Sequence, residues 1–355
     1  MRMKKLLGLV VLLVVALAVY LALTPSPIDP LAWTPPKAPP MTGVMEPNDT
    51  LMKAELLAQG QIVGPEDTAV DSQGRVFAGL DDGRIVRIGA DGKAETFVET
   101  GGRPLGLAFD KSGKLIVADA WKGLLEVDPQ GKIRVLTDSA DGIPFAFTDD
   151  LDIASDGRIY FSDASSRFHQ PDYILDLLEA RPHGRLLRYD PATGKTETLL
   201  KDLYFANGVA LSQNEDFVLV NETYRYRITR YWLKGEKAGQ HDVFIDNLPG
   251  LPDNLASDRS GTFWVALPSP RKADADLIQQ MPWLKRQLTK LPRAVLPKPV
   301  PYGLVIQVNE KGEIVRSLHD TSGQHLRMVT SAKPVNGVLY LGSLENDRIG
   351  RLPIH

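Results

Sequence analysis

Asp110-Lys111-Ser112-Gly113, running into Lys114-Leu115-Ile116-Val117-Ala118-Asp119, sets the pattern that decides the fold. A polar turn closes on glycine, and a short β-rich run ends on a polar residue. Five more copies follow the same plan. Asp71-Ser72-Gln73-Gly74 leads into Arg75-Val76-Phe77-Ala78, and Ser155-Asp156-Gly157 into Arg158-Ile159-Tyr160-Phe161-Ser162-Asp163. Gln213-Asn214-Glu215-Asp216 leads into Phe217-Val218-Leu219-Val220-Asn221, with Glu215 in the glycine slot. Asp258-Arg259-Ser260-Gly261 precedes Thr262-Phe263-Trp264-Val265-Ala266, and Val335-Asn336-Gly337 precedes Val338-Leu339-Tyr340-Leu341-Gly342. Each copy is followed by a second strand-like run, as in Gly83-Arg84-Ile85-Val86-Arg87-Ile88 or Gly184-Arg185-Leu186-Leu187-Arg188-Tyr189. Six units spaced roughly 40 to 80 residues apart predict an all-β, six-bladed β-propeller. One four-stranded sheet cannot bury both faces alone, whereas a closed ring of sheets can. A β-sandwich would leave the six copies unexplained. The segment from Leu56 to Val63 is expected to complete the last blade and close the ring, so the propeller spans 51–355.

The turn residue serves as a ruler. Eight positions before it stand Glu66, Leu105, Asp149, Asn207, Asp253 and Val329. In a propeller these positions precede the innermost strands and surround one axis, so Glu66, Asp149, Asn207 and Asp253 are expected to face each other across the tunnel mouth. Three carboxylates and an amide in a partly buried place are costly unless a positive charge sits among them. Oxygen ligands in an irregular ring suit Ca²⁺, whereas zinc asks for His or Cys. Asn254 can add an oxygen. Each residue alone reads as an ordinary turn or capping residue; the shared register across four blades favours a metal. One step further, Asp67 and Asp150 form a second acidic pair. Either they hold a second, structural cation or they bond backbone amides of adjacent blades.

The composition limits the rest. Forty-one basic and 44 acidic residues leave a formal charge of −3, which argues against a nucleic-acid partner. There is no cysteine, which excludes thiolate metal sites and cysteine nucleophiles. Leu6 to Leu23 is uncharged over 18 residues and follows Arg2, Lys4 and Lys5. As a helix it would be about 27 Å long, close to the roughly 30 Å hydrocarbon core. It reads as a transmembrane anchor (6–23) behind a cytoplasmic basic tail (1–5), with the propeller on the extracytoplasmic side. A cleaved signal peptide is the alternative. The linker 24–50 carries seven prolines before Met41, which read as a semi-rigid stalk or as a strand-like wrap over the domain. In the insertion between about Pro268 and Pro301, residues 273–291 read as helical. Leu277, Ile278, Met281, Trp283, Leu284 and Leu288 can form one apolar stripe there. The insertion is expected as a lid over the mouth that touches the membrane, or as simple packing on the top face.

Several motifs carry a family resemblance. Gly64-Pro65-Glu66, Arg103-Pro104-Leu105-Gly106, Asp119-Ala120-Trp121-Lys122-Gly123-Leu124, Phe205-Ala206-Asn207-Gly208-Val209 and Leu248-Pro249-Gly250-Leu251-Pro252-Asp253-Asn254 resemble the strictosidine-synthase-like proteins. Pro282-Trp283-Leu284-Lys285-Arg286 and Ser317-Leu318-His319-Asp320 look like the adipocyte plasma membrane-associated branch, whose members carry an N-terminal anchor. Related propellers include calcium-dependent paraoxonases and gluconolactonases. The resemblance implies that Glu66, Asp149, Asn207, Asp253 and Asn254 hold a catalytic calcium, although Asp149 stands where paraoxonases have Asn. It places Asp67 and Asp150 on a structural calcium site. It also exposes two departures. Leu105 stands where paraoxonases place a histidine beside the metal. Thr330 lies nearest the glutamate with which authentic strictosidine synthase performs its Pictet–Spengler condensation, so that chemistry is not expected.

The expected activity is calcium-dependent hydrolysis of lactones or aryl esters. A small-molecule ester binds at the mouth, the metal polarises its carbonyl and Asp253 acts as general base on water. The rival reading is a membrane-tethered, non-catalytic propeller with structural calcium. His319 and His325 precede the last blade and are read either as approaching the mouth or as surface and capping residues. Arg225, Arg227 and Arg230, alternating with tyrosines, read as a strand with a solvated face.

Overall fold

The computed structural model describes residues 2–293, 296 and 298–354; residues 294, 295 and 297 of the insertion lie outside the described residues. Six four-stranded antiparallel sheets follow one another around a ring. Each innermost strand opens its blade: Thr68–Val70, Pro104–Phe109, Thr148–Ile153, Ala206–Leu211, Leu255–Ala256 and Val329–Val335. The sixth blade has only three strands from the C-terminal end of the chain. Its fourth is Glu55–Leu57, paired antiparallel with Ile349–Pro353. The ring is therefore closed by joining the two ends of the domain, which removes the open edge that a sixth incomplete sheet would present.

The repeated turn is built as the sequence suggests. Asp110 Oδ1 accepts from the amides of Ser112 (2.8 Å) and Lys114 (2.9 Å), and Asp71 does the same for Gln73 and Arg75. Gly113 completes the turn in the left-handed region at φ +82°. Glu215 occupies that slot at φ +55°, a conformation disfavoured for a side-chain-bearing residue. Its carboxylate bonds the Ser155 amide (2.6 Å) and hydroxyl (2.8 Å) of the preceding blade, which offsets the strain.

The core lies between blades. Phe217, Leu219, Ile228 and Phe244 of the fourth blade pack against Leu255, Phe263, Val265, Leu304 and Ile306 of the fifth. This explains why the middle strands, such as Phe217–Glu222, are buried throughout instead of alternating.

At the end of the ring opposite the glycine turns, two connections are helical. The loop between the second and third strands of the third blade carries α2 (Tyr173–Glu179). The corresponding loop of the fifth blade, ahead of the last blade as expected, carries α3 (Ala273–Gln279) and α4 (Pro282–Leu288). The apolar stripe is split. Ile278 and Leu288 pack inward with Ile28, Phe168 and Leu178, while Leu277, Met281 and Trp283 face outward.

The N-terminal helix α1 (Arg2–Leu23) is long and apolar enough to cross a bilayer and is not buried in the protein. The proline-rich segment after it is no free stalk. It runs as a strap over the helical end of the ring: Leu31 N–H donates to Glu179 O (2.9 Å) and Trp33 N–H to Gln279 O (3.0 Å). The Lys285 ammonium donates to Leu31 O (2.6 Å), and the Arg225 guanidinium is sandwiched between Trp33 and Tyr204. Proline composition specifies an extended backbone; the apolar Ile28 and Trp33 and the exposed helix ends decide that it adheres.

Candidate functional site

Four innermost strands slip register just where the ruler residues stand. The breaks fall between Pro104 and Leu107, Thr148 and Leu151, Ala206 and Val209, and Val329 and Ser331. Such bulges free a residue from the ladder and re-aim its side chain. The result is a cavity of about 160 Å³ at the helical end of the axis, with Glu66, Asp149, Asn207 and Asp253 in its lining. Leu105 lines it as well, and Met328, one residue before the predicted Val329, takes the sixth place. Apolar walls come from Phe147, Phe205, Tyr224, Leu251 and Leu344, and the roof from Ile174 and Leu177 of α2 and Ile278 of α3. Gln279 ties the two helices together through its side-chain N–H to Leu177 O (3.1 Å).

Close approach of neighbouring blades depends on glycine. A Cβ on Gly208 would overlap the Asp253 carbonyl oxygen and the Leu255 nitrogen, and the Gly208 amide donates to that same carbonyl (3.1 Å). The Asn221 amide group donates to the Asp253 carbonyl too. Asp253 is thereby held by its backbone against the fourth blade.

Electrostatically the floor is unbalanced. Glu66 and Asp149 are buried. Burial first, then the neighbouring carboxylates, push both well above the usual carboxylate range, with the Arg103 guanidinium pulling the other way. Burial also pushes Asp253 up to about 8, against a hydrogen bond from Asn207. The amide of Asn254 donates to both oxygens of Glu66 (3.2 Å each). The side-chain oxygens of Asn207 and Asn254 are buried with no hydrogen-bond partner. Buried oxygens without a donor, beside carboxylates that cannot all ionise unaided, are the donor set a hard cation satisfies. Among the described residues no three His, Asp or Glu side chains converge closely enough to hold a metal by themselves. A cation here would thus depend on the two amides, and Ca²⁺ accepts such mixed oxygen donors. The residues present fit it.

The second acidic pair is answered differently. Between Asp67 and Asp150 stands the Lys333 ammonium, 3.1 Å from Asp67 Oδ2 and 3.8 Å from Asp150 Oδ1. Asp67 also accepts the Leu107 amide (2.9 Å), and Asp150 those of Leu151 (2.8 Å), Val209 (3.0 Å) and Leu255 (3.3 Å). Of the two expectations for this pair, these contacts match the bonding of backbone amides, with the Lys333 ammonium added between the carboxylates. Lys333 escaped notice because it lies in the sixth innermost strand, four positions past the ruler residue.

Other expectations resolve plainly. Thr330 donates its hydroxyl to Glu66 O (2.7 Å) and so buttresses the floor. His319 is buried between the Tyr302 hydroxyl (2.8 Å) and the Ser317 hydroxyl (2.9 Å), and His325 bonds Ala54 O (2.8 Å). Neither lines the cavity. Helix α2 and Arg103 were missed: seven helical residues in a loop give no periodic signal, and Arg103 is one arginine among many.

Residues 149–236 match the strictosidine synthase family model, and residues 43–88 match the strictosidine synthase-like N-terminal model. Adipocyte plasma membrane-associated protein of Rattus norvegicus is 40% identical over 372 residues, covering 98% of both chains. The chain belongs to the strictosidine-synthase-like family. Within the family, the human adipocyte plasma membrane-associated protein is 39% identical over 98% of this chain and 89% of its own. The strictosidine synthase-like 4 protein of Arabidopsis thaliana is 36% identical over 92% and 88%. Among solved structures, a gluconolactonase of Xanthomonas campestris superposes with a TM-score of 0.64 at 18% identity, covering 94% of this chain and 99% of its own. Regucalcin of Agrobacterium tumefaciens, described as a calcium-binding protein, gives 0.58 at 15%, covering 84% and 91%. At that identity the two share the fold of this family member and nothing finer.

Proposed function

We propose that the cavity hydrolyses lactones or aryl esters in a calcium-dependent way. The observation that carries this reading is the floor itself: two unpartnered buried amide oxygens among three buried carboxylates, beneath an otherwise apolar chamber. Glu66, Asp149, Asn207, Asp253 and Asn254 would hold Ca²⁺, which supplies Lewis-acid polarisation of an ester carbonyl. The chain's own residues do the rest. Asp253 is the carboxylate at the floor that takes a proton from water, the role left when no histidine among the described residues lines the cavity. Phe147, Phe205, Leu251 and Met328 hold the apolar part of the ester and exclude bulk water, which strengthens every polar interaction at the floor. A carboxylate for Pictet–Spengler condensation is not available at Thr330, and we propose no such reaction.

Leu105 supports a second reading, in which the same cavity binds a ligand without turning it over. It is packed among Ala120, Phe147, Phe205 and Tyr224, with no titratable group in the position. Turnover of a panel of lactones and aryl esters by the parent chain and by Asp253→Asn separates the two. Hydrolysis that a chelator stops and calcium restores, and that Asp253→Asn loses while melting near the parent temperature, supports the enzyme. Turnover indifferent to chelation overturns the calcium mechanism. Absence of turnover across the panel, with calcium binding intact, leaves the binding module.

A further inference from the structure

The lid presents an unexplained surface. On α3, α4 and the turn between them, Leu277, Met281 and Trp283 are 52%, 41% and 72% exposed, three large apolar groups on one short helical pair. Neighbouring residues do not cover them, whereas Ile278 and Leu288 of the same helices are packed inward.

Two further observations indicate what covers this face. The C-terminal end of α1 is joined to the segment after α4: the Tyr20 hydroxyl donates to Lys290 O (2.7 Å), and the Lys290 ammonium donates to Leu21 O (2.6 Å). The chain thus leaves the apolar helix directly beside the lid. The charge is also biased. Residues 271–298 hold seven basic and two acidic side chains, and of the seven the side chains of Lys285 and Arg271 are buried, which leaves Lys272, Arg286, Lys290, Arg293 and Lys298 toward the surface. Both acids are locally answered, Asp276 by Arg271 (2.7 Å) and Asp274 by Lys272 (3.5 Å). Arg286 and Arg293 also face Asp29 and Asp172, while Lys290 and Lys298 have no acidic partner among the described residues.

We propose that the lid face of α3 and α4 docks on the bilayer that holds α1, with Leu277, Met281 and Trp283 in the headgroup region and Lys290, Lys298, Arg286 and Arg293 toward anionic lipid. Apolar side chains flanked by Lys and Arg are the composition of an interfacial surface. The arrangement brings the cavity edge formed by Tyr173, Lys272 and Lys298 up to the lipid. The proposal holds whether or not the cavity is catalytic.

The cysteine-free chain makes the test direct. Single cysteines are introduced as Leu277→Cys, as Trp283→Cys and, at the opposite end of the ring, as Gln130→Cys. Each is labelled with an environment-sensitive fluorophore, and the full chain is reconstituted in phosphatidylcholine–phosphatidylglycerol bilayers. The expected result is severalfold weaker quenching by aqueous iodide at 277 and 283 than at 130, together with quenching by brominated lipid at 277 and 283 alone. Iodide access at 277 and 283 equal to that at 130 overturns the proposal. Protection from iodide without lipid quenching, rising with protein concentration, overturns it in favour of a second copy on this face. Lys290→Gln combined with Arg293→Gln, or pure phosphatidylcholine, should reduce lipid quenching at 283; no change would remove the anionic lipid from the proposal.

Discussion

Replacing Lys333 by methionine tests the reading of the central tunnel most sharply. The ammonium is buried and lies 3.1 Å from one buried carboxylate and 3.8 Å from another. At an effective dielectric constant of about 20, these separations correspond to about 5 and 4 kcal/mol of gross attraction. Desolvation of three charges cancels much of it, and removing one partner from a buried pair costs about 3–5 kcal/mol net. Unfolding entropy of about 2.1 cal/mol/K per residue, over the roughly 300 residues from Glu55 to Pro353, gives about 0.6 kcal/mol/K. Lys333→Met should therefore melt about 5–8 °C lower, read by calorimetry or near-ultraviolet circular dichroism at neutral pH. Adding Asp67→Asn should recover part of the loss, because the penalty is the stranded carboxylate and not the missing methylenes. Unchanged melting in the single variant, or no recovery in the double, would refute the assignment of Lys333 as the cation of this pair.

Three further outcomes are expected. Arg185 pairs with the buried Asp163 (2.6 Å), whose carboxyl burial pushes up to about 6. Arg185→Leu should cost about 3–5 kcal/mol at pH 7. A carboxyl raised above its unfolded value stabilises when protonated, so this deficit should shrink as pH falls toward 5, as followed by urea denaturation. Gly208→Ala should lower cation affinity and any turnover, because the new methyl displaces the Asp253 backbone, whereas Gln130→Cys at the far end of the ring should not; isothermal titration with calcium checks it. Trp33→Ala removes the stacking partner of Arg225 and should expose residues 24–41 to limited proteolysis while the ring stays intact, with equal cleavage in both proteins counting against the strap.

The ring was legible because its punctuation is local: a residue at positive φ, glycine in five of the six copies, closes each turn, and at Asp71 and Asp110 an aspartate bonds two amides. Counting back from those turns also found Glu66, Asp149, Asn207 and Asp253, since a common register in a closed ring becomes a common axis. What escaped depended on contacts between segments remote in sequence. Lys333 reads as one more strand lysine until the ring brings it to Asp67 and Asp150. Prolines between 24 and 41 dictate an extended chain but not the surface it meets. Tyr173–Glu179 is too short to reveal itself by periodicity, although it forms half the roof.

The pairing of Glu55–Leu57 with Ile349–Pro353 bears on how the domain could part from its anchor. The closing strand lies downstream of the strap, so a protease that severs the backbone between residues 24 and 54 separates the hydrophobic helix while every sheet keeps four strands. Shedding and unfolding are thereby uncoupled. Loss of residues 55–57, by contrast, would leave the sixth sheet with a bare edge and the circle unlatched.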